Sequence, residues 1–219
     1  MNLFKCLRSC LCSLLIIFSS ASFAGLIDDK ATETITYPQS GNGFGWTASY
    51  DISFQNQDLT IDVDVFLTGF EPGQSLRNIW ETGIETIWSN AFDIFDGTYF
   101  YDTVFNVDWL SSATGADHTV NVHQGDGNVN LIHWYTGNPS GWGYSYQDRM
   151  AAHEFGHMIG LHDEYVGGAT RTDASGAPFI RADSIMGQNL ASPQADHYDQ
   201  FVQWLSDNTG ISSLALVKD

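Results

Sequence analysis

Cysteine is almost missing from this chain: Cys6, Cys10 and Cys12 are the only three, all close to the N-terminus. If that end is removed on export, neither a disulfide nor a thiol remains, and stability has to come from the core and from bound metal. Cations are scarce too, with 8 Lys and Arg against 26 Asp and Glu and a formal net charge of −18. So acidic a surface repels nucleic acid and anionic membranes, which excludes both as partners. The acids serve solubility outside the cell, or some of them hold Ca2+ through oxygen ligands. Also absent is an apolar run long enough to span a bilayer as a stable helix.

The apolar run nearest to that length covers residues 11–18, after Lys5 and Arg8 and before the small residues Ser22 and Ala24. This order reads as a secretory signal peptide over residues 1–24, cleaved after Ala24, which leaves no stable membrane anchor. A lipoprotein would carry a cysteine after the apolar run, and none sits there. Loss of Lys5 and Arg8 with no acid makes the mature chain, periplasmic or extracellular, two units more negative.

With 43% hydrophobic residues in 219, the remainder, 25–219, suits one domain with a sizeable core. Residues 27–45 are a polar, Gly-containing lead-in, either flexible or the first edge of the fold. Period-two alternation then begins with Trp46, Ala48, Tyr50, Ile52 and Phe54. It resumes in Ile61, Val63, Val65 and Leu67 after a turn at Asn56-Gln57-Asp58, which predicts an antiparallel hairpin. Leu76, Ile79, Trp80, Ile84, Ile87, Trp88 and Ala91 share one helical face, so a helix is expected over 75–92 with Gly83 its weak point.

Strands are expected again over 99–109, 118–123 and 129–134, the last two separated by the turn signal Gln124-Gly125-Asp126-Gly127-Asn128. A helix follows over 147–159. Past an irregular segment a last helix covers 194–208, with Tyr198, Phe201, Val202 and Leu205 apolar and Gly210 closing it. This order is an α+β fold: a sheet flanked by helices, an upper part over about 46–160, and a mostly irregular lower part over about 161–219.

The chemistry concentrates in residues 151–165, AAHEFGHMIGLHDEY. On a helix, positions four apart lie about 40° around the axis and roughly 6 Å along it, so His153 and His157 present both imidazoles to one point, a bite that zinc accepts. Glu154, one residue on, is too far around to ligate beside them but close enough to take a proton from an attacking water as general base. A catalytic zinc normally takes three protein ligands. Gly160 can adopt positive φ and turn the chain sharply, which brings His162, Asp163 and Glu164 forward as candidates for the third.

The whole pattern, H-E-x-x-H-x-x-G-x-x-D, resembles the metzincin zinc metallopeptidases, and Gly160-Leu161-His162-Asp163-Glu164-Tyr165 is similar to the snapalysin-like or GLxDEY bacterial branch. The resemblance implies Asp163 as third ligand, with His162 the runner-up, one residue out of register. Glu164 would suit another zinc-peptidase clan only from a separate later helix, which it lacks. The resemblance also implies a methionine turn beneath the metal, for which Met186 in Ser184-Ile185-Met186-Gly187 stands, with a structural role. No tyrosine stands two residues beyond Met186, so oxyanion stabilisation is expected mainly from the metal. His197 is a possible alternative ligand or supporting group, though a surface position is expected for it.

What the resemblance implies for the fold is a twisted mixed sheet with two long helices, the second carrying the histidines, then the methionine turn and a C-terminal helix. Residues 119–124 are the candidate edge strand that would pair with an extended substrate. The implied function is a secreted zinc endopeptidase acting, as a monomer, on a protein or peptide substrate. The alternatives are a zinc hydrolase of cell-wall peptide or glycoprotein, and a non-catalytic binding domain on a metallopeptidase fold. A second metal site on His118, His123 and His133, and calcium on Asp126 and Asn128, are further possibilities, with a bare turn preferred at the latter.

Overall fold

The computed structural model describes residues 26–36, 45–89, 91–139 and 142–219. The expected signal peptide lies outside them, and among the described residues no helix is long and apolar enough to cross a membrane. Among the described residues the fold is α+β, with an eight-stranded mixed sheet and three α-helices.

The alternation read from the sequence sets the sheet. β2 (Gly45–Gln55) turns Ala48, Tyr50, Ile52 and Phe54 inward, and β3 (Asp58–Gly69) does the same with Leu59, Ile61, Val63 and Val65. They pair antiparallel around Asn56 and Gln57, whose φ of 55° and 78° are the left-handed values that a tight hairpin turn requires. The described part of the lead-in is β1 (Ile27–Thr36), an edge strand antiparallel to β2.

β3 is the hub of the sheet. Along one flank it pairs in parallel with β5 (Phe100–Leu110); on the other, β6 (His118–His123) takes over in parallel where β2 ends. β7 (His133–Tyr135) continues parallel to β6, and β4 (Phe92–Phe95) and β8 (Ala215–Lys218) extend the far side antiparallel. Residues 119–124 are therefore not an open edge: β6 is parallel to β3, and β7 covers Asn121, Val122 and His123.

Other boundaries move for local reasons. The expected strand 129–134 shrinks to β7 because the Asn130 side chain accepts from the Ile132 and His133 N–H groups at 3.1 and 3.0 Å and folds that stretch into a turn. The first helix, α1 (Gln74–Ser89), stops short of Phe92, which starts β4. The last helix divides into a single helical turn, Ala195–His197, and α3 (Asp199–Thr209), which Gly210 closes at φ 72°.

The histidine-bearing helix, α2 (Gln147–Met158), is buried along nearly its whole length. It crosses α1 at Gly83, where a Cβ would lie 2.6 Å from the Asp148 Cα, so this glycine is a crossing point rather than a weakness. Two indoles of α1 fix the crossing: Trp80 donates to Gln147 Oε1 at 2.7 Å and Trp88 to the Ala152 carbonyl at 2.9 Å. Below, Phe105, Phe155, Tyr198 and Phe201 close the core around Trp88, so α2 is held from both sides.

Candidate metal centre

One turn apart on α2, His153 and His157 face each other with ring centroids 5.0 Å apart. Their Nδ1 atoms are engaged with backbone carbonyls, His153 with Ile185 at 2.9 Å and His157 with Leu161 at 2.8 Å. A carbonyl only accepts, so each Nδ1 carries a proton and each Nε2 is the nitrogen left to face a metal, the orientation a ligand needs.

The helix then ends as Gly160 allows. At φ 99° it reverses the chain, with Gly160 N–H on the His157 carbonyl and Leu161 N–H on the Gly156 carbonyl at 3.1 and 2.9 Å. In the segment that follows, Asp163 and Tyr165 face the histidines while His162 and Glu164 make their bonds elsewhere. Asp163 Oδ1 lies 3.2 Å from His153 Nε2 and 3.3 Å from His157 Nε2. Its Oδ2 accepts from Ala169 N–H at 2.6 Å, and Gly168 approaches so closely that a Cβ there would lie 2.5 Å from the Asp163 Cβ. The loop thus leaves Oδ1 alone free to point inward.

A divalent cation fits these residues. Asp163 Oδ1 and Glu154 Oε2 are buried with no hydrogen-bond partner, and they meet two imidazole lone pairs. Donor atoms of His153, Glu154 and His157 lie within 4.8 Å of one another. Burial opposes charge on His157, but the Asp163 carboxylate, with help from Glu154 and the Leu161 carbonyl, raises its pKa to about 9. Burial alone would push Asp163 up; His157 and His153 outweigh it and hold the carboxyl far below its usual range. For Glu154 burial wins and raises the pKa, Asp163 adding to it and the two histidines opposing.

Met186 is fully buried, and a Cβ on Gly156 would lie 2.3 Å from its sulfur, so the thioether sits under α2 between the two histidine positions. The same segment holds His153 through the Ile185 carbonyl and Glu164 N–H through the Met186 carbonyl, the latter at 2.8 Å. His162 stays outside the cluster: its Nε2 lies 3.1 Å from the Thr36 carbonyl and its ring meets Trp46 edge-on. His197 is buried rather than on the surface. Its Nδ1 accepts from Gln194 N–H, and its Nε2 lies 3.4 Å from Glu164 Oε1. It therefore joins a cluster of Glu164, Arg171, Arg181 and Asp196 behind the centre instead of the ligand set.

Above the centre opens a cleft of about 610 Å³ with His153 and Glu154 at its floor and Val129, Trp142, Met150 and Leu190 among its walls. Sequence reading missed three of its features. Tyr165 lines the cleft with its ring 6.1 Å from His153. Burial and the Asp163 and Glu154 carboxylates raise its pKa, so the phenol keeps its proton. Arg149 reaches from α2 to the Leu190 and Ala191 carbonyls at 2.7 and 2.6 Å and pins the wall, where Leu190 is held at φ 48°. Gly156 was passed over, although a glycine between two ligand positions was the available signal for something packed beneath.

The minor expectations separate. His118 turns to the Ser49 carbonyl, away from the other two, while His123 Nε2 and His133 Nδ1 lie 3.0 Å apart. Asp126 uses both carboxylate oxygens on Asn138, bracing its loop, which favours the bare turn over calcium. Asp51, Asp64 and Asp117 approach one another on the sheet, with the Lys30 ammonium 2.6 Å from Asp117 and 3.2 Å from Asp51. Comparison of the chain with protein-family models, curated proteins and solved structures gave no match, so the centre is read from its own geometry.

Proposed function

We propose that the chain is a secreted zinc-dependent endopeptidase of the metzincin type. The observation that carries this reading is the convergence of His153 Nε2, His157 Nε2 and Asp163 Oδ1 on one point, beside a buried Glu154 that has an unpaired oxygen and that lines the cleft with His153. The glycine turn after His157 and the thioether packed under Gly156 agree with the resemblance read from the sequence. The leader-like residues 1–24 support export.

Zinc held by the three ligands supplies Lewis acidity for the peptide carbonyl and the attacking water. The protein's own groups do the rest. Glu154 takes the proton of the water and delivers it to the leaving amine, and the burial that raises its pKa favours its taking up that proton. Ile185 and Leu161 hold the imidazoles in one tautomer and orientation. The Tyr165 hydroxyl, a donor in the cleft, stabilises the oxygen that gains charge in the tetrahedral state, a part that the sequence leaves mainly to the metal. Retention of a buried, unpaired Glu154 argues against a non-catalytic binding domain, because a structural zinc needs no base.

The test is hydrolysis of casein or a peptide library by the zinc-loaded protein. Activity should disappear on chelation, return with zinc, and be lost in Glu154→Ala while zinc is retained. A zinc-loaded protein inert toward all peptides would overturn the reading; cleavage confined to cell-wall peptide or glycoprotein would move it to that substrate class.

A further inference from the structure

β6 and β7 place two more histidines together on the face of the sheet opposite the buried Val122 and Trp134. His123 and His133 lie on these neighbouring parallel strands, and their rings approach to 5.1 Å between centroids and 3.0 Å between His123 Nε2 and His133 Nδ1. Two nitrogens on one tetrahedral zinc, each about 2.0–2.1 Å from it, lie roughly 3.3 Å apart, so a small rocking of the rings converts this contact into a bite. The rings are already ordered for it. Tyr135 stacks on His123 at 4.8 Å and 23°, which reduces the side-chain entropy lost on binding.

We propose that His123 and His133 form a second, exchangeable site for a borderline divalent transition cation (Zn2+, Ni2+ or Cu2+) that clamps the loop between β6 and β7 at the rim of the cleft. Neutral imidazole nitrogens select these ions over Ca2+ or Mg2+, which prefer oxygen. In the metal-free pair one N–H donates to the other ring's lone pair. On binding, that proton moves to the second nitrogen of its own ring, so the site loads with no net proton loss. With two protein ligands, the remaining positions fall to solvent, and the site is weaker than one built from three. The consequence lies in what the pair brackets: residues 124–132 carry Asn128 and Val129, which line the cleft. Joining the two ends of this loop restrains that wall.

The site is independent of the His153 centre, and the experiment keeps the two apart. The whole protein is titrated with Zn2+ against a chromophoric chelator, and Cu2+ loading is followed by electron paramagnetic resonance. Two classes of binding are expected. The weaker should show two imidazole nitrogens in the Cu2+ spectrum and vanish in His123→Gln and in His133→Gln, with the tighter class unchanged. In the unmodified protein, free Zn2+ about tenfold above the weaker Kd should slow amide exchange by local opening in residues 124–132 about tenfold. Binding confined to the tighter class, a weaker class that survives both substitutions, or exchange indifferent to metal would overturn the proposal. Loss of the tighter class alone would count against the peptidase reading and leave this one standing.

Discussion

Adding one methyl group at Gly156 tests the architecture beneath the centre. In Gly156→Ala the new Cβ would lie 2.3 Å from Met186 Sδ, 3.1 Å from its Cε and 3.2 Å from Trp88 Cζ2. Ordinary contacts need about 3.5–4.0 Å, so the sulfur must withdraw by about 1 Å or more. Met186 and Trp88 are both fully buried, which leaves nowhere to withdraw without moving neighbours. Overpacking of this kind costs about 1–3 kcal/mol. Replacing a helical glycine by alanine recovers about 1 kcal/mol.

The net expectation for Gly156→Ala is a loss of up to about 2 kcal/mol, or about 4–8 °C in Tm for a domain of this size. Met186 is joined through Ile185 to the carbonyl that orients His153, so zinc affinity should fall about tenfold or more as well. Calorimetry on the metal-free and zinc-loaded protein and a chelator-competition Kd measure both quantities. Adding Met186→Ala should recover part of the loss, because the closest clash is then removed and only the Trp88 contact at 3.2 Å remains. An alanine variant about 1 kcal/mol more stable, with unchanged zinc affinity, would mean that the thioether does not pack between the ligand positions.

Three further outcomes are expected. Asp163→Ala should lose zinc on dialysis while His162→Ala keeps one equivalent at the centre, and the reverse result in elemental analysis would exchange the two assignments. His157 in the metal-free chain has its pKa raised to about 9, so a proton must leave as metal enters; the zinc Kd should weaken about tenfold per pH unit below that value. The same raised pKa stabilises the metal-free fold fully below the unfolded value near 6.5 and loses that contribution as pH rises through about 9, so melts should show a lower Tm above pH 9 than at pH 7. A zinc Kd flat from pH 6 to 9 would contradict the coupling. Tyr165→Phe should lower kcat about 10²-fold with zinc content and KM retained; an unchanged kcat would remove the hydroxyl from the chemistry.

What could be read from sequence was local. The four-residue spacing of His153 and His157 and the turn at Gly160 depend on a few dihedral angles, so they follow from helix geometry and glycine's freedom alone. The hairpin of β2 and β3 was legible for the same reason, since alternation fixes which face is buried. β4 and β8, four residues each, have no comparable signal, because their pairing joins chain segments more than 100 residues apart. β6 looked like an edge until β7, three residues long, covered it.

At the site, Tyr165 stands apart from the residues after Met186, where the resemblance would place a tyrosine donor. The clue lay in the alternation after Gly160, which sends 163 and 165 to one side and 162 and 164 to the other. His197, for which a surface position is expected, is instead buried. Its burial depends on Glu164 and Trp88, partners from two other elements.

The central claim is that His153, His157 and Asp163 hold a catalytic zinc and leave Glu154 free. Anomalous scattering at the zinc edge from crystals of the zinc-loaded protein tests it most directly. The strongest peak should lie about 2.0–2.2 Å from His153 Nε2, His157 Nε2 and Asp163 Oδ1, with Glu154 outside bonding distance. A strongest peak on His162 or His197, or one ligated by Glu154 with Asp163 turned away, would contradict the account.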